Sequence, residues 1–358
     1  MKILLAGGGT AGSVSPLIAV YEYLKGVEQD AIFVFIGTKN GYPEKEMLRG
    51  TTMNFIPITA GKMRRYFDAK NIIDFFKIFI GFIQSLMIMF REKPDLVIGT
   101  GGYVQVPVIW AAWVKRIKIL IHQQDISPSL SNILCLNLAD KITVSFEKSL
   151  RDFPSQKTVW TGNPIKTDRL HGSPEAADQT YDLEKNAPVV LITGGGTGAL
   201  GLNTIVNQSL PDLIKICQVV MLTGQGKKVK GIDHHRFKQF EFVKDGMNDL
   251  LARADLVISR AGLSTISELS ALGKLSILVP MPNTHQEKNA VYLAEREAAI
   301  VINQLNLSPT RLVQKVEQAL NDKNLSERMS QNMSKIMKKD AASQIGQEII
   351  NLLKNESK

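Results

Sequence analysis

Cysteine is nearly absent: Cys135 and Cys217 are the only two in 358 residues, and they stand far apart in apolar surroundings. Such a pair makes neither a disulfide framework nor a thiolate metal cluster, which fits a reducing compartment. Histidine is scarce, with five in the chain. No Asp-x-Asp pair occurs, and no histidine or carboxylate cluster has metal-ligand spacing, so no metal site is expected. Basic motifs interleaved with aromatics are also missing, which leaves nucleic acid outside the expected partners. Met1–Ala6 is too short for a signal-peptide core and runs straight into glycines, so no export is expected.

What remains is a basic, soluble composition. Hydrophobic residues make up 44% and charged residues 22%, and 43 basic against 34 acidic side chains leave +9. That balance asks for an anionic partner, a phosphorylated metabolite or an acidic lipid. The length suits two domains. Two stretches share one pattern. Ile3–Ala6, Gly7 to Ser13 and Pro16–Leu24 read as strand, glycine loop and helix, with Pro16 suited to a first helical turn. Val189–Thr193 followed by Gly194 to Ala199 repeats the strand and loop. The expected fold is therefore α/β, two Rossmann-like domains facing across a cleft. The first loop departs from the dinucleotide fingerprint, and no acidic residue ends the strand Ile32–Ile36, so a nicotinamide cofactor is not expected.

Asp255 to Ala290 is the most informative stretch. Leu256–Ser259 reads as a buried parallel strand, broken by Arg260-Ala-Gly262 before a helix. A helix start beyond a strand end offers unpaired N–H groups and a positive dipole end to a diphosphate. Glu268 has two readings: hydrogen bonds to a ribose, or closure of a capping box with Thr265. A second strand, Ser276–Val279, leads to His285, Gln286 and Asn289. Thr167 to Pro188, polar and aperiodic, reads as linker.

Ile72–Phe90 is the most apolar segment, flanked by Lys62, Arg64, Arg65, Lys70, Arg91 and Lys93. As a helix it aligns Ile72, Phe75, Phe76, Phe79, Phe82, Ile83, Leu86 and Phe90. A spanning helix, a core helix and a helix lying in an anionic membrane surface are all open readings, and Asp74 and Lys77 weigh against the first.

The pattern of Gly262, Ser264, Thr265, Glu268, His285, Gln286, Asn289 and Ala290 resembles that of nucleotide-sugar glycosyltransferases with two Rossmann domains (GT-B), and within them the MurG family. The resemblance covers nearly the whole chain, with a nucleotide-sugar 2-epimerase on a similar two-domain scaffold or a non-catalytic binder of nucleotide sugar or lipid as the alternatives. It implies inverting transfer of N-acetylglucosamine from UDP-GlcNAc to the undecaprenyl-linked muramyl-pentapeptide, lipid I, without a metal cofactor, by a peripheral protein on the cytoplasmic face of the plasma membrane. It further implies an acceptor domain, 1–163, that docks on anionic membrane through Ile72–Phe90 and takes back a C-terminal helix, about 341–358. Residues 164–340 would bind the donor. Glu268 would then hold the ribose, Ser264 and Thr265 the phosphates, and Gln286 with Asn289 the sugar, with His285 beside them. Gly196, Thr197 and Asn203 would also contact the donor, Arg260 would help to neutralise the leaving group, and Asn163 and Lys166 match positions near the crevice. Tyr103 would help to shape the acceptor site, and Thr10, Ala11, Gly12 and Gln124 would also bind substrate.

Two departures bear on catalysis. Ser13 stands where the family loop has a histidine proposed as base, and Gln123 stands at the family's glutamate. Neither side chain is a base near neutral pH. The strand Lys118–Ile121 also brings His122, a catalytic candidate or a satisfied core histidine, and Asp125, which is the expected general base.

Overall fold

The computed structural model describes residues 1–62, 70–166, 170–195, 198–228, 231–243 and 245–354. The chain forms two compact units, the first comprising the residues up to Lys166 and those from Lys338 onward, the second the residues between. The first contains β1 (Lys2–Ala6), α1 (Ala11–Val27), β2 (Ile32–Thr38), α2 (Glu44–Met47), β3 (Asn54–Ile58), α3 (Lys70–Glu92), β4 (Leu96–Gly99), α4 (Gln105–Val114), β5 (Lys118–Gln123), α5 (Leu130–Cys135), β6 (Lys141–Val144) and β7 (Thr158–Trp160). The second contains α6 (Pro174–Tyr181), β8 (Val189–Thr193), α7 (Leu200–Ile216), β9 (Gln218–Leu222), β10 (Phe237–Phe240), α8 (Met247–Arg253), β11 (Leu256–Ser259), α9 (Leu263–Leu272), β12 (Ser276–Leu278), α10 (His285–Ala294), β13 (Ile300–Val301), α11 (Pro309–Asn321) and α12 (Lys323–Met333). The last helix, α13 (Ala341–Lys354), belongs to the first unit.

Each unit is a parallel sheet, ordered β3-β2-β1-β4-β5-β6-β7 in the first and β10-β9-β8-β11-β12-β13 in the second. Near-continuous Val, Ile and Leu runs form such strands because helices bury both faces. In β1 the alternation is visible. Ile3 and Leu5 face α1 and α13, where Leu17, Leu24, Ile345 and Ile349 are buried, while Leu4 and Ala6 face the side holding Val108, Ile109 and Met89. Lys141 adds an ion pair to Glu348 of α13 at 2.8 Å. Strand order reverses between β1 and β4 and again between β8 and β11. Ligands of open α/β sheets gather beyond the strand ends at such reversals.

Three expectations change. α1 starts at Ala11, so Pro16 lies inside the helix rather than in its first turn, at the loss of one intrahelical bond. The supposed linker contains α6, capped by Ser173 and tied to α8 through the Asp178–Arg253 pair at 2.6 Å.

The third is the face of α3. By length and composition it could span a membrane. It packs instead through its small and polar side: Asp74, Ile78, Gly81, Ser85 and Ile88 are buried. Gly81 permits this approach, since a Cβ there would strike the Thr59 carbonyl and come within 3.4 Å of Pro107 in α4. Phe82 and Leu86 turn partly into the core, whereas Ile73, Ile80 and Met87 join Phe75, Phe76, Phe79 and Phe90 on the exposed side. Arg64 and Arg65 lie outside the described residues, as does the side chain of Lys70.

Candidate active site

In the first unit, three loops meet where the strand order reverses. The one after β1 bends through Gly8 and Gly9, both at positive φ, and a Cβ on Gly9 would lie 2.6 Å from the Tyr103 ring. Thr10 and Ala11 are exposed and Gly12 half-buried. The Thr10 side chain makes no cap bond, so the first turn of α1 opens with backbone N–H groups available to an incoming oxygen. Ser13 is committed to the loop itself. Its Oγ accepts from Gly8 N–H at 3.1 Å and lies 3.1 and 3.0 Å from the carbonyls of Gly8 and Thr10, while its own carbonyl accepts from Thr100 at 2.6 Å. The hydroxyl staples the turn in place of serving a substrate proton.

Glu44 is the residue that sequence reasoning missed. Wholly buried behind this loop, its Oε1 accepts from Gly9 N–H at 2.9 Å, Thr38 N–H at 3.1 Å and Thr38 Oγ1 at 2.7 Å. Its Oε2 is buried with no partner among the described residues. The only signal was a lone carboxylate soon after the Gly37-Thr38 strand end. Tyr103, half-buried nearby, has its phenol pKa raised by burial first and then by the charges of Glu44 and Asp74. It therefore stays protonated and can donate a hydrogen bond.

The loop after β5 carries His122, Gln124 and Asp125. His122 is 1% exposed, with Nδ1 2.9 Å from Thr143 Oγ1 and Nε2 3.2 Å from Asn163 Oδ1 and 3.2 Å from Ser145 Oγ. An amide oxygen can only accept, so Nε2 carries the proton and Nδ1 accepts from Thr143. Burial lowers this imidazole to about 4. It is a neutral brace between β5, β6 and Asn163, which is itself buried. Gln124 donates to the Thr100 carbonyl at 2.6 Å and so ties the β5 loop to the β4 loop. Asp125 is half-buried at the strand end. Lys166 pairs with Glu22 at 3.3 Å.

In the second unit, the glycine loop after β8 leads to α7, whose N-cap Ala199 offers no side-chain bond. Gly196 and Thr197 lie outside the described residues. Asn203 is a brace, 4% exposed and donating to the Thr223 carbonyl at 2.9 Å. Beyond β11, Arg260 is 6% exposed. Its Nη1 donates to the carbonyls of Val279 at 3.0 Å and Pro280 at 3.3 Å, and its Nε is buried without a partner among the described residues. Burial lowers its pKa from the usual arginine value, and no carboxylate among the described residues offsets that effect. A guanidinium so placed is short of an anion.

α9 starts at Leu263 with Gly262 as an N-cap that makes no side-chain bond. Thr265 is therefore the third helical residue, which rules out the capping-box reading of Thr265 and Glu268. Ser264, Thr265 and Glu268 share one helix face by their spacing, and that face is exposed or half-buried. α10 is capped by Thr284 and begins with an exposed His285. Gln286 accepts from Met281 N–H at 3.0 Å, and its amide nitrogen lies 4.0 Å from where a Cβ on Gly262 would sit, beside the start of α9. Asn289 is wholly buried and reaches the Ala261 carbonyl at 3.4 Å, so it shapes the turn before α9. Among the described residues, no cluster of three or more His, Cys, Asp or Glu could hold a metal ion. Cys135 and Cys217 are buried, and both thiols are pushed up to about 12 by desolvation.

Residues 3–144 match the N-terminal domain of glycosyltransferase family 28, and residues 189–345 match its C-terminal domain. A protein of Clostridium botulinum is 36% identical over 92% of this chain and 93% of its own length, and one of Clostridium perfringens is 39% identical over 78% of each. Both are named UDP-N-acetylglucosamine--N-acetylmuramyl-(pentapeptide) pyrophosphoryl-undecaprenol N-acetylglucosamine transferase. The chain belongs to the MurG family. The fold agrees. MurG of Acinetobacter baumannii superposes with a TM-score of 0.75 at 24% identity, covering 98% of this chain and 99% of that one. A UDP-GlcNAc 2-epimerase from Neisseria meningitidis, solved with UDP-GlcNAc, superposes at 0.70 with 15% identity, covering 98% of this chain and 100% of that one. At such identities the likeness speaks for the fold alone, and the transferase relatives separate the MurG reading from an epimerase.

Proposed function

We propose that this chain transfers N-acetylglucosamine from UDP-GlcNAc, with inversion, to the 4-hydroxyl of the muramyl residue of undecaprenyl-diphospho-muramyl-pentapeptide. Family membership over 92% of the chain carries this reading, and the chemistry of both strand-order reversals supports it. The diphosphate of the donor sits at the uncapped start of α9, with Ser264 and Thr265 as hydroxyl partners. Glu268 takes the ribose hydroxyls, and Gln286 takes the sugar. Arg260 and the helix end neutralise the charge that develops as the bond between the anomeric carbon and the phosphate oxygen breaks. No metal ion is part of this proposal.

On the acceptor side, Thr10 to Gly12 and Tyr103 hold the muramyl group. Asp125 takes the proton of the 4-hydroxyl as its oxygen bonds to the anomeric carbon. Asp125 is preferred because it is a carboxylate, whereas Ser13 and Gln123 carry no basic group and the His122 ring is buried. Its place half-exposed at the end of β5 supports the role. Transfer of labelled sugar to a lipid I analogue tests the whole scheme. Asp125→Asn should abolish turnover and leave UDP affinity intact. Full activity in that variant would remove Asp125 from the mechanism, and wild-type protein that binds UDP without transferring would mark a nucleotide-sugar binder.

The chain works as a peripheral protein on the cytoplasmic face of the plasma membrane. The outward side of α3 supports this, with Phe75, Phe76 and Phe79 each more than half exposed. Trp113 and Val114 of α4 and Ile133 of α5 add exposed apolar surface, and Lys115 lies 5.5 Å over the Phe90 ring. Exposed aromatic side chains with Lys115 over one ring, and Arg91, Lys93 and Arg116 close in sequence to these helices, suit an anionic leaflet.

A further inference from the structure

A line of buried amides joins the loop after β4 to the loop after β5. Gly101 N–H donates to Gln105 Oε1 at 2.7 Å, and Gln105 Nε2 donates to Asn132 Oδ1 at 2.6 Å. Asn132 Nδ2 donates to Gln123 Oε1 at 2.7 Å and to the His122 carbonyl at 3.2 Å. Gln123 Nε2 then donates to the carbonyls of Asp125 at 2.7 Å and Ser127 at 2.9 Å, while its Oε1 also accepts from Ser129 N–H at 3.2 Å. The three side chains are 0% or 1% exposed. Every bond runs in one direction, and both protons and both lone pairs of the Gln123 amide are used. A carboxylate has no proton to give, so an ionised glutamate at position 123 would turn an oxygen toward two carbonyl oxygens from a side chain that is itself buried.

We propose that Gln123 is a positioning residue, which holds the Asp125 loop through this polarised chain, and that glutamate at the same place disables transfer instead of supplying a base. The inference rests on the transferase reading with Asp125 as proton acceptor. It says that the proton-donating half of the amide sets the backbone from 124 to 129. Asn132 and Gln105 transmit the same constraint from the Gly101 turn.

The experiment compares wild type, Gln123→Glu and Asn132→Asp by three readings. These are transfer to a lipid I analogue between pH 5.5 and 8.5, UDP binding by calorimetry, and amide hydrogen exchange across 124–129. For Gln123→Glu, kcat should fall by about thirtyfold near pH 7.5, with UDP affinity within about twofold of wild type and exchange faster in the loop. The ratio of variant to wild-type kcat should rise toward pH 5.5, because a protonated glutamate regains one donor. A residue that only supported the fold would leave that ratio flat. Asn132→Asp should repeat the pattern, and either it or Gln105→Glu provides the same readings if Gln123→Glu does not fold. Wild-type turnover in Gln123→Glu near pH 7.5, or unchanged exchange across 124–129, overturns the proposal. Wild-type protein without transfer would sink the transferase reading, while hydrogen exchange would still decide whether the amide chain sets the loop.

Discussion

Glu44 Oε1 holds the backbone N–H of Gly9 at 2.9 Å, across 35 positions of sequence. A buried carboxylate thus takes from within a hydrogen bond that a glycine loop would otherwise offer to a ligand. The first loop is therefore braced by a negative charge, and in this unit the uncapped turn at Ala11 to Ser13, not Gly9, is the end left open to an anion.

Replacing Glu44 with alanine would leave Thr38 N–H and the half-buried Gly9 N–H without their acceptor, while the Thr38 hydroxyl keeps Asn40 Oδ1 at 2.6 Å. Each buried orphan costs about 1–3 kcal/mol, partly offset by removal of an ion whose Oε2 is unpartnered. Urea unfolding of Glu44→Ala should show a net loss of about 3 kcal/mol. Glu44→Gln keeps the accepting oxygen and should lose about 1 kcal/mol. Equal losses in both variants would mean that the charge, not the acceptor, holds the loop.

His122 predicts an acid limit. Its folded value is about 4 against the ordinary 6.5. Above pH 6.5 the ring is neutral in both states and stability does not depend on it. Between 6.5 and 4 the unfolded chain binds a proton that the native ring refuses, so stability falls as pH falls, by about 1.4 kcal/mol per unit. Below about 4 the native ring also protonates and the slope ends. Unfolding free energies measured from pH 7.5 to 4.5 should carry this slope in wild type, and it should be reduced in His122→Gln, whose amide can still meet Asn163. Parallel curves for the two proteins would contradict the assignment.

Much of this architecture is legible in the residues, and the exceptions share a cause. Glycine turns after apolar runs announce both sheets because only glycine takes the backbone through positive φ at Gly8, Gly9 and Gly198. Spacing likewise groups Ser264, Thr265 and Glu268 on one side of α9. An amide or an imidazole carries no such mark. Asn203, Asn289 and His122 read equally well as functional groups or as braces, and only burial distinguishes the two. Glu44 stayed hidden for the same reason, since the partner that gives it a role, Gly9, lies in another loop. In α3 the periodicity was visible but not which side faces in, because Gly81 and Ser85 pack more closely on α4 than a row of phenylalanines would.

Arg260 separates binding from stability. Its guanidinium is buried, gives two bonds to carbonyls and has no acidic partner among the described residues. Arg260→Met removes an uncompensated charge while orphaning two carbonyl contacts, so unfolding stability should stay within about 1 kcal/mol of wild type. UDP affinity should nevertheless drop by at least about tenfold, close to 1.4 kcal/mol, because a charge-assisted contact to the diphosphate is gone. Arg260→Lys should restore little, since a shorter ammonium cannot bond the Val279 and Pro280 carbonyls and the ligand together. Unaltered UDP binding by Arg260→Met would make this arginine a tie between β11 and β12 and nothing more.

The exposed side of α3 offers the sharpest distinction between a membrane surface and a core helix. Phe75 is 60% and Phe79 56% exposed, so their replacement by serine removes little internal packing and should leave the unfolding midpoint unchanged. Burying such a ring in an acyl layer is worth about 1.5–3 kcal/mol, so Phe75→Ser/Phe79→Ser should weaken binding to vesicles containing anionic lipid by about a hundredfold. Turnover of a water-soluble acceptor should remain at the wild-type level, because neither ring belongs to the loops that hold Tyr103 and Asp125. Raising the salt concentration should weaken wild-type binding further, through Lys115 over the Phe90 ring. Vesicle binding that survives the double substitution would assign the apolar row to contact with another protein, and a lowered unfolding midpoint would return these phenylalanines to the core.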